Sequence, residues 1–182
     1  MMQRVTQTLL TEAEMADIFT RLAKEVAIAC PDPARLLIAG IQRRGADIAR
    51  RLAARLGTEN APIASLDINL YRDDWTRLAG GAPRIGKSHM PCAPDGKNIL
   101  LVDDVLFSGR TARAAMEAVL DYGRPDRIML LAFIDRGHRE LPICADFVGK
   151  RIETAPNQQV DVLLREQDGQ DAVLLRDQPG EA

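Results

Sequence analysis

The sequence predicts an α/β protein built on a parallel β-sheet with helices on both faces. Segments with a strand pattern alternate along the chain with segments of helical periodicity, an order typical of βαβ units. The segments at residues 99–102 and 128–134 are almost continuously hydrophobic, as expected for strands that are buried on both faces. At 182 residues the chain suits one domain of this kind, and we expect residues 1–182 to form it.

The first predicted element is a helix that starts after Thr11. Thr11 and Glu14 have the spacing of a capping box, in which each side chain bonds to the backbone of the other residue. The apolar residues behind it recur on one helical face: Met15, Ile18, Phe19, Leu22, Ala23 and Val26. Pro31 and Pro33 predict the end of the helix.

The next part of the chain predicts a strand, a loop, a helix and a second strand. Residues 36–39 are a short apolar strand, residues 40–45 a loop, and residues 46–56 a helix with Ile48, Leu52 and Leu56 facing inward. A strand is expected over residues 63–70. Residues 71–98 are polar and rich in glycine and proline, and they are too long for an ordinary connection, so we expect a functional loop or lid.

Residues 99–120 predict a strand, a turn and a helix. The Tyr-Gly-Arg-Pro sequence at residues 122–125 predicts the turn that ends this segment. Residues 127–134 predict another buried strand. Shorter strand-like pieces occupy residues 147–152, 160–165 and 172–175, before an acidic end.

Composition narrows the classes of function. The net charge of −2 argues against a generally basic surface for nucleic acids, and the longest apolar run, residues 128–134, is too short to cross a membrane. The N-terminus lacks the apolar core of a secretory signal. Three widely spaced cysteines and two histidines indicate neither a disulfide framework nor a zinc or histidine-rich metal centre. We therefore expect a cytoplasmic protein that does not act at a membrane.

The turn after residues 99–106 has the features of a phosphate site. Ligands of open parallel sheets bind beyond the carboxyl ends of the strands. Gly109 allows the backbone to approach a ligand closely, and the amides of residues 108–111 open a helix whose dipole favours an anion. The hydroxyl groups of Ser108 and Thr111 add two donors. These features predict a phosphate cradle.

Two adjacent carboxylates, Asp103 and Asp104, end the apolar run before this turn. They would repel a bare phosphate, but they can accept hydrogen bonds from sugar hydroxyls or hold a hard cation through water. Together the site suits a phosphorylated ribose that carries a magnesium-bound pyrophosphate. In isolation, the same residues would more simply be a helix cap at Ser108 and two solvated acids at the exposed end of a strand.

The complete arrangement resembles the 5-phosphoribosyl-1-diphosphate (PRPP) signature of type I phosphoribosyltransferases, with Ser108 where threonine is usual. Four stretches together resemble the PyrR family of pyrimidine operon regulatory proteins: LYRDD at 70–74, LVDDVL at 101–106, GRT at 109–111 and DRGHRELPI at 135–143. The similarity spans about residues 11–165. Gln42 and Arg43 replace a Lys-Thr pair common in the family, and Cys144 stands where the family often has a basic residue.

The resemblance implies a type I phosphoribosyltransferase fold, with a five-stranded parallel sheet flanked by helices. It also implies a flexible lid at about residues 71–98, and a small hood formed by about residues 136–175 with the N-terminal segment. The implied activity is transfer of phosphoribose from PRPP to uracil, which gives UMP. PRPP would bring Mg²⁺ without a dedicated protein cage for the metal. The implied partners are PRPP, uracil, UMP or UTP and pyrimidine-operon mRNA, and the implied assembly is a homo-oligomer, a dimer or tetramer.

The resemblance also assigns roles to residues. Asp103 and Asp104, with Arg72 in the lid, would act on the reacting ribose. PRPP would be bound by Val102, Asp103, Asp104, Val105, Leu106, Phe107, Ser108, Gly109, Arg110 and Thr111. The pyrophosphate loop would be Ile41, Gln42, Arg43, Arg44 and Gly45. Uracil would be recognised against the hood by Ile134, Asp135, Arg136, Gly137, His138, Arg139 and Ile143. RNA contacts would come from Thr20, Arg21, Arg50, Arg51, Arg55, His138 and Lys150.

Several alternatives stay open at this point. The chain could be an enzyme only, or an RNA-binding regulator that keeps the pocket as a nucleotide sensor; the two roles are compatible through linkage. A purine or orotate transferase is a weaker third choice. Residues 43–55 carry five arginines against one acid, and residues 161–182 carry six acids against two arginines, so the arginines could also form a merely solvated face. His138 and Trp75 could be surface residues.

Overall fold

The computed structural model describes residues 4–58, 63–68 and 88–177. Its strands, in chain order, are β1 (Arg4–Leu10), β2 (Leu36–Ile41), β3 (Ala64–Leu66), β4 (Asn98–Leu106), β5 (Arg127–Asp135), β6 (Phe147–Arg151), β7 (Gln158–Leu163) and β8 (Ala172–Asp177). Its α-helices are α1 (Glu12–Ala29), α2 (Arg44–Arg55), α3 (Arg110–Leu120) and α4 (Arg165–Asp168). A single 3₁₀ turn, Pro33–Arg35, leads into β2.

The main sheet has five parallel strands in the order β3-β2-β4-β5-β6, which confirms the predicted fold class. The central strand β4 pairs with β2 through residues such as Leu100 and with β5 through residues such as Asp103. One face packs against α1 and α2, and the other packs against α3. Because both faces are covered, β4 and β5 are buried along most of their length, which explains their continuous hydrophobic pattern.

A second, antiparallel sheet lies beside the first, with the strand order β1-β8-β7. It joins the N-terminal strand to the last strands of the chain, and α4 forms the connection between β7 and β8. The sequence analysis did not predict β1 as a strand. Its sequence, RVTQTLL, has too few apolar residues in alternation for the pattern to be recognised, and its pairing with β8 joins opposite ends of the chain.

The helix α1 confirms the predicted capping box. The backbone N–H of Thr11 donates to Oε2 of Glu14 at 2.8 Å, and the backbone N–H of Glu14 donates to Oγ1 of Thr11 at 3.4 Å. The predicted inward face is also correct, since Met15, Phe19 and Leu22 are buried. None of the helices in the described ranges is long and apolar enough to cross a membrane.

Several predicted boundaries are wrong. The strand expected over residues 63–70 covers only Ala64–Leu66 within the described residues, and α2 starts at Arg44 rather than at residue 46. The strand expected at residues 160–165 runs over Gln158–Leu163 instead, because the following residues turn into α4. Most of the proposed lid, residues 71–87, lies outside the described residues, whereas His89 pairs with Ser65 as an isolated bridge.

Candidate functional site

The phosphate cradle lies where β4 ends and α3 begins. Gly109 precedes the helix with a φ of +92°, a left-handed conformation that favours glycine. Because Gly109 has no side chain to cap the first amides of α3, those amides can donate to an anion. Ser108 accepts only a long hydrogen bond from Arg110 N, at 3.3 Å, through its hydroxyl group. The geometry is that of an open anion site at a helix N-terminus.

Residues 135–143 hold this cradle in place. The carbonyl oxygen of Ser108 accepts hydrogen bonds from Glu140 N at 2.9 Å and Leu141 N at 3.2 Å. Arg139 Nη1 donates to the carbonyl oxygen of Phe107 at 2.7 Å. Two stretches of the chain that the sequence analysis assigned to different ligands therefore form one structural unit.

The acid pair differs from its predicted environment. We expected both acids at the exposed end of a strand, but β4 continues to Leu106, and Asp103 is only 4% exposed. Asp103 Oδ1 accepts a hydrogen bond from Asp104 N at 3.0 Å, whereas its Oδ2 is buried without a hydrogen-bond partner among the described residues. Burial, and then the charge of Asp104, raise the pKa of Asp103 well above its ordinary value.

Asp104 is only partly buried, in contrast to Asp103. Its Oδ1 accepts a hydrogen bond from Val105 N at 2.9 Å. The two carboxyl groups interact, because, in addition to burial, the charge of Asp104 and its side-chain hydrogen bond both raise the pKa of Asp103. Asp104 is the more exposed of the two acids. The described residues contain no group of three or more His, Cys, Asp or Glu side chains that could hold a metal ion by themselves.

The predicted pyrophosphate loop connects β2 to α2. The strand β2 pairs with one edge of β4, and β5 pairs with the opposite edge. Gln42 is bound by the neighbouring strand: its N–H donates to the carbonyl oxygen of Leu66 at 2.8 Å. The Gln42–Arg43 peptide bond is cis. Gly45 lies so close to β4 that a Cβ atom there would be 2.4 Å from the carbonyl oxygen of Val102. The absence of a side chain at Gly45 thus brings the start of α2 next to the strand that carries the acid pair.

The side chain of Arg44 forms an ion pair within the chain. Its guanidinium group binds the carboxylate of Asp168 in α4, with Nη2–Oδ1 and Nε–Oδ2 distances of 3.0 and 3.4 Å. Burial lowers the pKa of Arg44, but the hydrogen bond and charge of Asp168, followed by the charge of Asp104, outweigh this and raise it. Arg44 therefore lies between the acid pair and the second sheet.

The residues assigned to uracil divide into two groups. Ile134 is fully buried within the main sheet, where it pairs with Lys150 of β6. By contrast, Arg136, His138 and Arg139 line a cavity of about 660 Å³, together with residues 151–154. Ile143 packs next to Gly109 of the cradle, at 3.4 Å from the position of a Cβ atom there.

The residues assigned to RNA lie on α1, α2, β6 and the segment that follows β5. Thr20 and Arg55 line a groove between α1 and α2, together with Lys24. Arg21 binds Glu25 at 2.7 Å and the carbonyl oxygen of Val148 at 3.2 Å. His138 lines the other cavity, next to the main sheet, and Lys150 donates to the carbonyl oxygen of Leu9 at 3.2 Å.

Two of the five arginines at residues 43–55 form ion pairs with the acidic end of the chain. Arg51 binds Glu166 and Asp171, each at 2.8 Å, and Arg44 binds Asp168. Arg50 binds Asp47 within α2. The sequence analysis found both the arginines and the acids but did not predict that they meet. Contacts between residues about 115 apart in the chain leave no periodic signal in a sequence.

The comparisons with known proteins identify the family. A family model described as a phosphoribosyl transferase domain matches residues 6–167. Proteins named Bifunctional protein PyrR are similar along nearly the whole chain. The one from Chloroflexus aurantiacus is 47% identical over 171 residues, which are 92% of this chain and 93% of that protein. The one from Thermus aquaticus is 44% identical over 180 residues, 97% of this chain and 99% of that protein. This chain belongs to the PyrR family.

The matching domain model confirms the predicted class, a phosphoribosyltransferase. Solved structures agree with the fold. A hypoxanthine-guanine phosphoribosyltransferase from Bacillus anthracis superposes with a TM-score of 0.71 at 14% identity and covers 97% of this chain and 99% of its own. A hypoxanthine phosphoribosyltransferase from Staphylococcus aureus gives 0.69 at 20% identity, with 97% and 94% covered. At such low identity these two structures support the fold alone.

Proposed function

We propose that this member of the PyrR family transfers phosphoribose from PRPP to uracil and also binds pyrimidine-operon mRNA in a manner that UMP or UTP controls. The observation that carries the enzymatic half is the arrangement around the end of β4. A helix N-terminus whose N-cap, Gly109, has no side chain, a partly buried acid and a glycine-bounded loop lie at one edge of the sheet. Together they suit the phosphate, the hydroxyl groups and the pyrophosphate of a single substrate.

In this proposal the 5′-phosphate binds the amides at residues 108–111, where the helix dipole stabilises negative charge. Asp104 accepts a hydrogen bond from a ribose hydroxyl, and its charge lies near the positive charge that develops on the sugar ring as pyrophosphate leaves. Mg²⁺ bound to PRPP would neutralise part of the charge on the departing pyrophosphate. Asp103 supports the site from within the sheet, since its carboxyl group is buried.

The loop at residues 41–45 would bind the pyrophosphate through its backbone amides. Arg44 contributes positive charge at this side, although its pairing with Asp168 means that it has to be shared with that carboxylate. A lid that contains Arg72 would close over the substrates and exclude water. Arg72 and Trp75 lie outside the described residues, so the role of the lid is a prediction from the sequence.

The enzymatic proposal is tested by incubating the protein with radiolabelled uracil, PRPP and Mg²⁺ and by separating uracil from UMP. We expect UMP to form, and its formation to need both PRPP and the metal ion. Repeating the assay with labelled hypoxanthine and orotate tests the other transferases. No UMP from uracil, with product from one of the other bases, would contradict the proposal.

The RNA-binding half is supported by the family and by the groove between α1 and α2. Lys24 and Arg55 line this groove, and neither has a carboxylate partner among the described residues. Arg55 is held over the ring of Phe19, with its guanidinium carbon 4.9 Å from the ring centre. Arg50 and Arg51 are bound to acids, so we now expect Lys24 and Arg55 to provide the phosphate contacts on this face.

Filter binding to pyrimidine-operon leader RNA at several salt concentrations tests this half. Arg55→Ala should weaken binding and flatten its dependence on salt by about 0.7 units of log–log slope, the value for one phosphate contact on a single strand. Arg124→Ala is the matched control, because Arg124 follows α3, which packs on the face of the main sheet opposite α1 and α2. Equal binding by the wild-type protein to leader RNA and to an unrelated RNA would leave only the enzymatic half of the proposal.

The predicted oligomer, a dimer or tetramer, and the cytoplasmic location remain predictions.

A further inference from the structure

The ion pair between Arg44 and Asp168 joins the predicted pyrophosphate loop to α4. Arg44 Nη2 and Nε donate to the two carboxylate oxygens of Asp168, so the contact uses one edge of the planar guanidinium group. Nη1 lies outside this contact, donates to none of the described residues and is not buried. The Arg44 side chain is 35% exposed. Part of the guanidinium group is therefore fixed by the protein, and part is left to meet a ligand.

Asp168 is itself held in place. Its Oδ2 also accepts a hydrogen bond from Leu164 N at 2.9 Å, at the start of α4. Burial raises the pKa of Asp168, but the N–H of Leu164 and the side chain of Arg44 outweigh this and lower it, so the carboxylate is ionised at neutral pH. Arg44 is thus bound by a charged group whose position is set within α4.

The helix α4 contacts one face of α2 at three successive points. Asp168 binds Arg44, Gln167 donates to Asp47, and Glu166 binds Arg51. The three α2 residues are three and four positions apart, the spacing of neighbours on one helical face. These contacts fix the orientation of α4 relative to the first turn of α2, and Asp168 is the member that lies at the loop.

Arg44 also lies near the residues proposed to bind the sugar. Against the effect of burial, Asp168 and then Asp104 raise the pKa of Arg44, so the charge of Asp104 acts on this guanidinium group. The next residue, Gly45, approaches the carbonyl oxygen of Val102 in β4. The side chain that α4 holds is therefore the one next to the proposed position of the leaving group.

We propose that Asp168 is a positioning residue: it orients the guanidinium group of Arg44 so that Nη1 donates to the pyrophosphate of PRPP. The inference rests on the proposed function, because it takes PRPP as the substrate. A carboxylate that orders a long, flexible side chain before the substrate arrives lowers the entropic cost of binding. Since Arg44 and Asp168 form a neutral pair, the gain comes from orientation rather than from net charge.

The first test measures the binding of PRPP with Mg²⁺, and of UMP, by isothermal titration calorimetry. UMP carries a 5′-phosphate but no pyrophosphate. Asp168→Ala should weaken PRPP binding by about 10-fold, the loss expected for one misaligned hydrogen bond from a charged group, and leave UMP binding unchanged. Asp168→Asn keeps an acceptor for Arg44 and should lie between Asp168→Ala and wild type. Tighter binding of PRPP to Asp168→Ala would overturn the proposal, since Asp168 would then compete with pyrophosphate for Arg44. An equal loss for UMP would also overturn it.

The matched control is Glu166→Ala, which removes a carboxylate from the same helix. Its partner Arg51 lies farther along α2 and keeps its ion pair with Asp171. Glu166→Ala should bind PRPP like wild type. A loss equal to that of Asp168→Ala would overturn the proposal, because it would show that α4 only supports α2 as a whole.

The second test asks whether Asp168 acts through Arg44. The double variant of Arg44→Met with Asp168→Ala should bind PRPP as weakly as Arg44→Met alone, because both changes remove the same interaction with pyrophosphate. Losses that multiply would overturn the proposal. If Asp168→Ala does not fold, Asp168→Asn, which can still accept from Leu164 N, takes its place in the same comparison with the same expected outcome. Failure of the wild-type protein to bind PRPP would overturn both this inference and the proposed function. If the wild-type protein binds PRPP but forms no UMP from uracil, only the proposed uracil transfer is refuted, and the variants still decide the role of Asp168.

Discussion

Asp103 and Asp104 are neighbours in the sequence, but their side chains lie in different environments. Asp103 is enclosed in the main sheet with one oxygen unpaired, whereas Asp104 is partly accessible at the edge where substrate would bind. The difference follows from the extension of β4 to Leu106, in which Asp103 is the last residue of a continuously buried run and Asp104 is only partly buried. We propose that Asp104 contacts the substrate, whereas Asp103, which is buried, does not.

The buried acid makes stability depend on pH. Because the pKa of Asp103 is raised in the folded state, folding favours the protonated form, and this contribution is present below the ordinary aspartate pKa of 3.8. It is lost as the pH rises from there through the raised folded-state pKa. We expect Asp103→Asn to be more stable than wild type at pH 7, with the difference shrinking toward pH 4. Urea unfolding across this pH range measures it.

Asp17→Asn is the matched control for this series, because Asp17 is exposed on α1. It should follow the wild-type curve. An Asp103→Asn variant that is less stable than wild type at neutral pH would contradict the account, since it would show that the ionised carboxylate stabilises the fold.

At Asp104 the expected effect is on activity. Asp104→Asn should lower kcat/KM for PRPP by roughly 10- to 100-fold, since a hydrogen bond to a charged acceptor contributes about 1.5–3 kcal/mol. The unfolding midpoint should change little, because Asn can also accept the hydrogen bond from Val105 N. Steady-state kinetics measure the change in kcat/KM, with Asp17→Asn as the control. Unchanged kcat/KM in Asp104→Asn would remove this residue from the ribose site.

Among the elements, α4 is the one whose role was least visible in the sequence. This four-residue helix binds α2 through Arg44–Asp168 and Arg51–Glu166 ion pairs, and Gln167 donates to Asp47. The same residues had suggested a basic face for RNA and a frayed acidic end. In the structure they form ion pairs with each other and attach the antiparallel sheet to α2, the helix that follows the predicted pyrophosphate loop.

We expect Arg51→Met to lower the free energy of unfolding by about 1.5–3 kcal/mol. Arg51 is only partly exposed (17% of its side chain), and its loss leaves two carboxylates without their cation. Arg165→Met is the control, because the Arg165–Glu12 pair is 61% and 60% exposed and should contribute at most about 1 kcal/mol. Urea unfolding is suitable, since guanidinium salts would screen the charges. Equal losses in both variants would mean that α4 does not contribute through this ion pair.

At the scale of the whole molecule, local patterns predicted the parallel sheet well. Continuous hydrophobic runs identified β4 and β5, the capping box identified the start of α1, and the turn at Gly109 identified the start of α3. Each of these features is set by residues close together in the chain. In the antiparallel sheet, β7 and β8 were predicted as strand-like pieces, but β1 was not, because it has a weak pattern and pairs with β8 at the far end of the sequence.

In the candidate site, too, the features set by local sequence were predictable and those set by tertiary contacts were not. The acids and the glycines were identified from residue type and spacing, but the burial of Asp103 depends on the length of β4. The pairing of Arg44 with Asp168 and that of Arg51 with Asp171 depend on tertiary contacts that no local pattern indicates. Residue chemistry was thus predictable, whereas the partner of each charged group was not.

A competition assay tests the central claim most directly. The protein is incubated with PRPP, Mg²⁺ and equal amounts of uracil, cytosine, hypoxanthine and orotate. The nucleotides formed are then separated, identified and quantified by mass spectrometry. The account predicts UMP as the main nucleotide, with one pyrophosphate released for each UMP. It also predicts that UMP formation falls sharply in Asp104→Asn. A different nucleotide as the main product, or UMP formation that does not depend on Asp104, would contradict it.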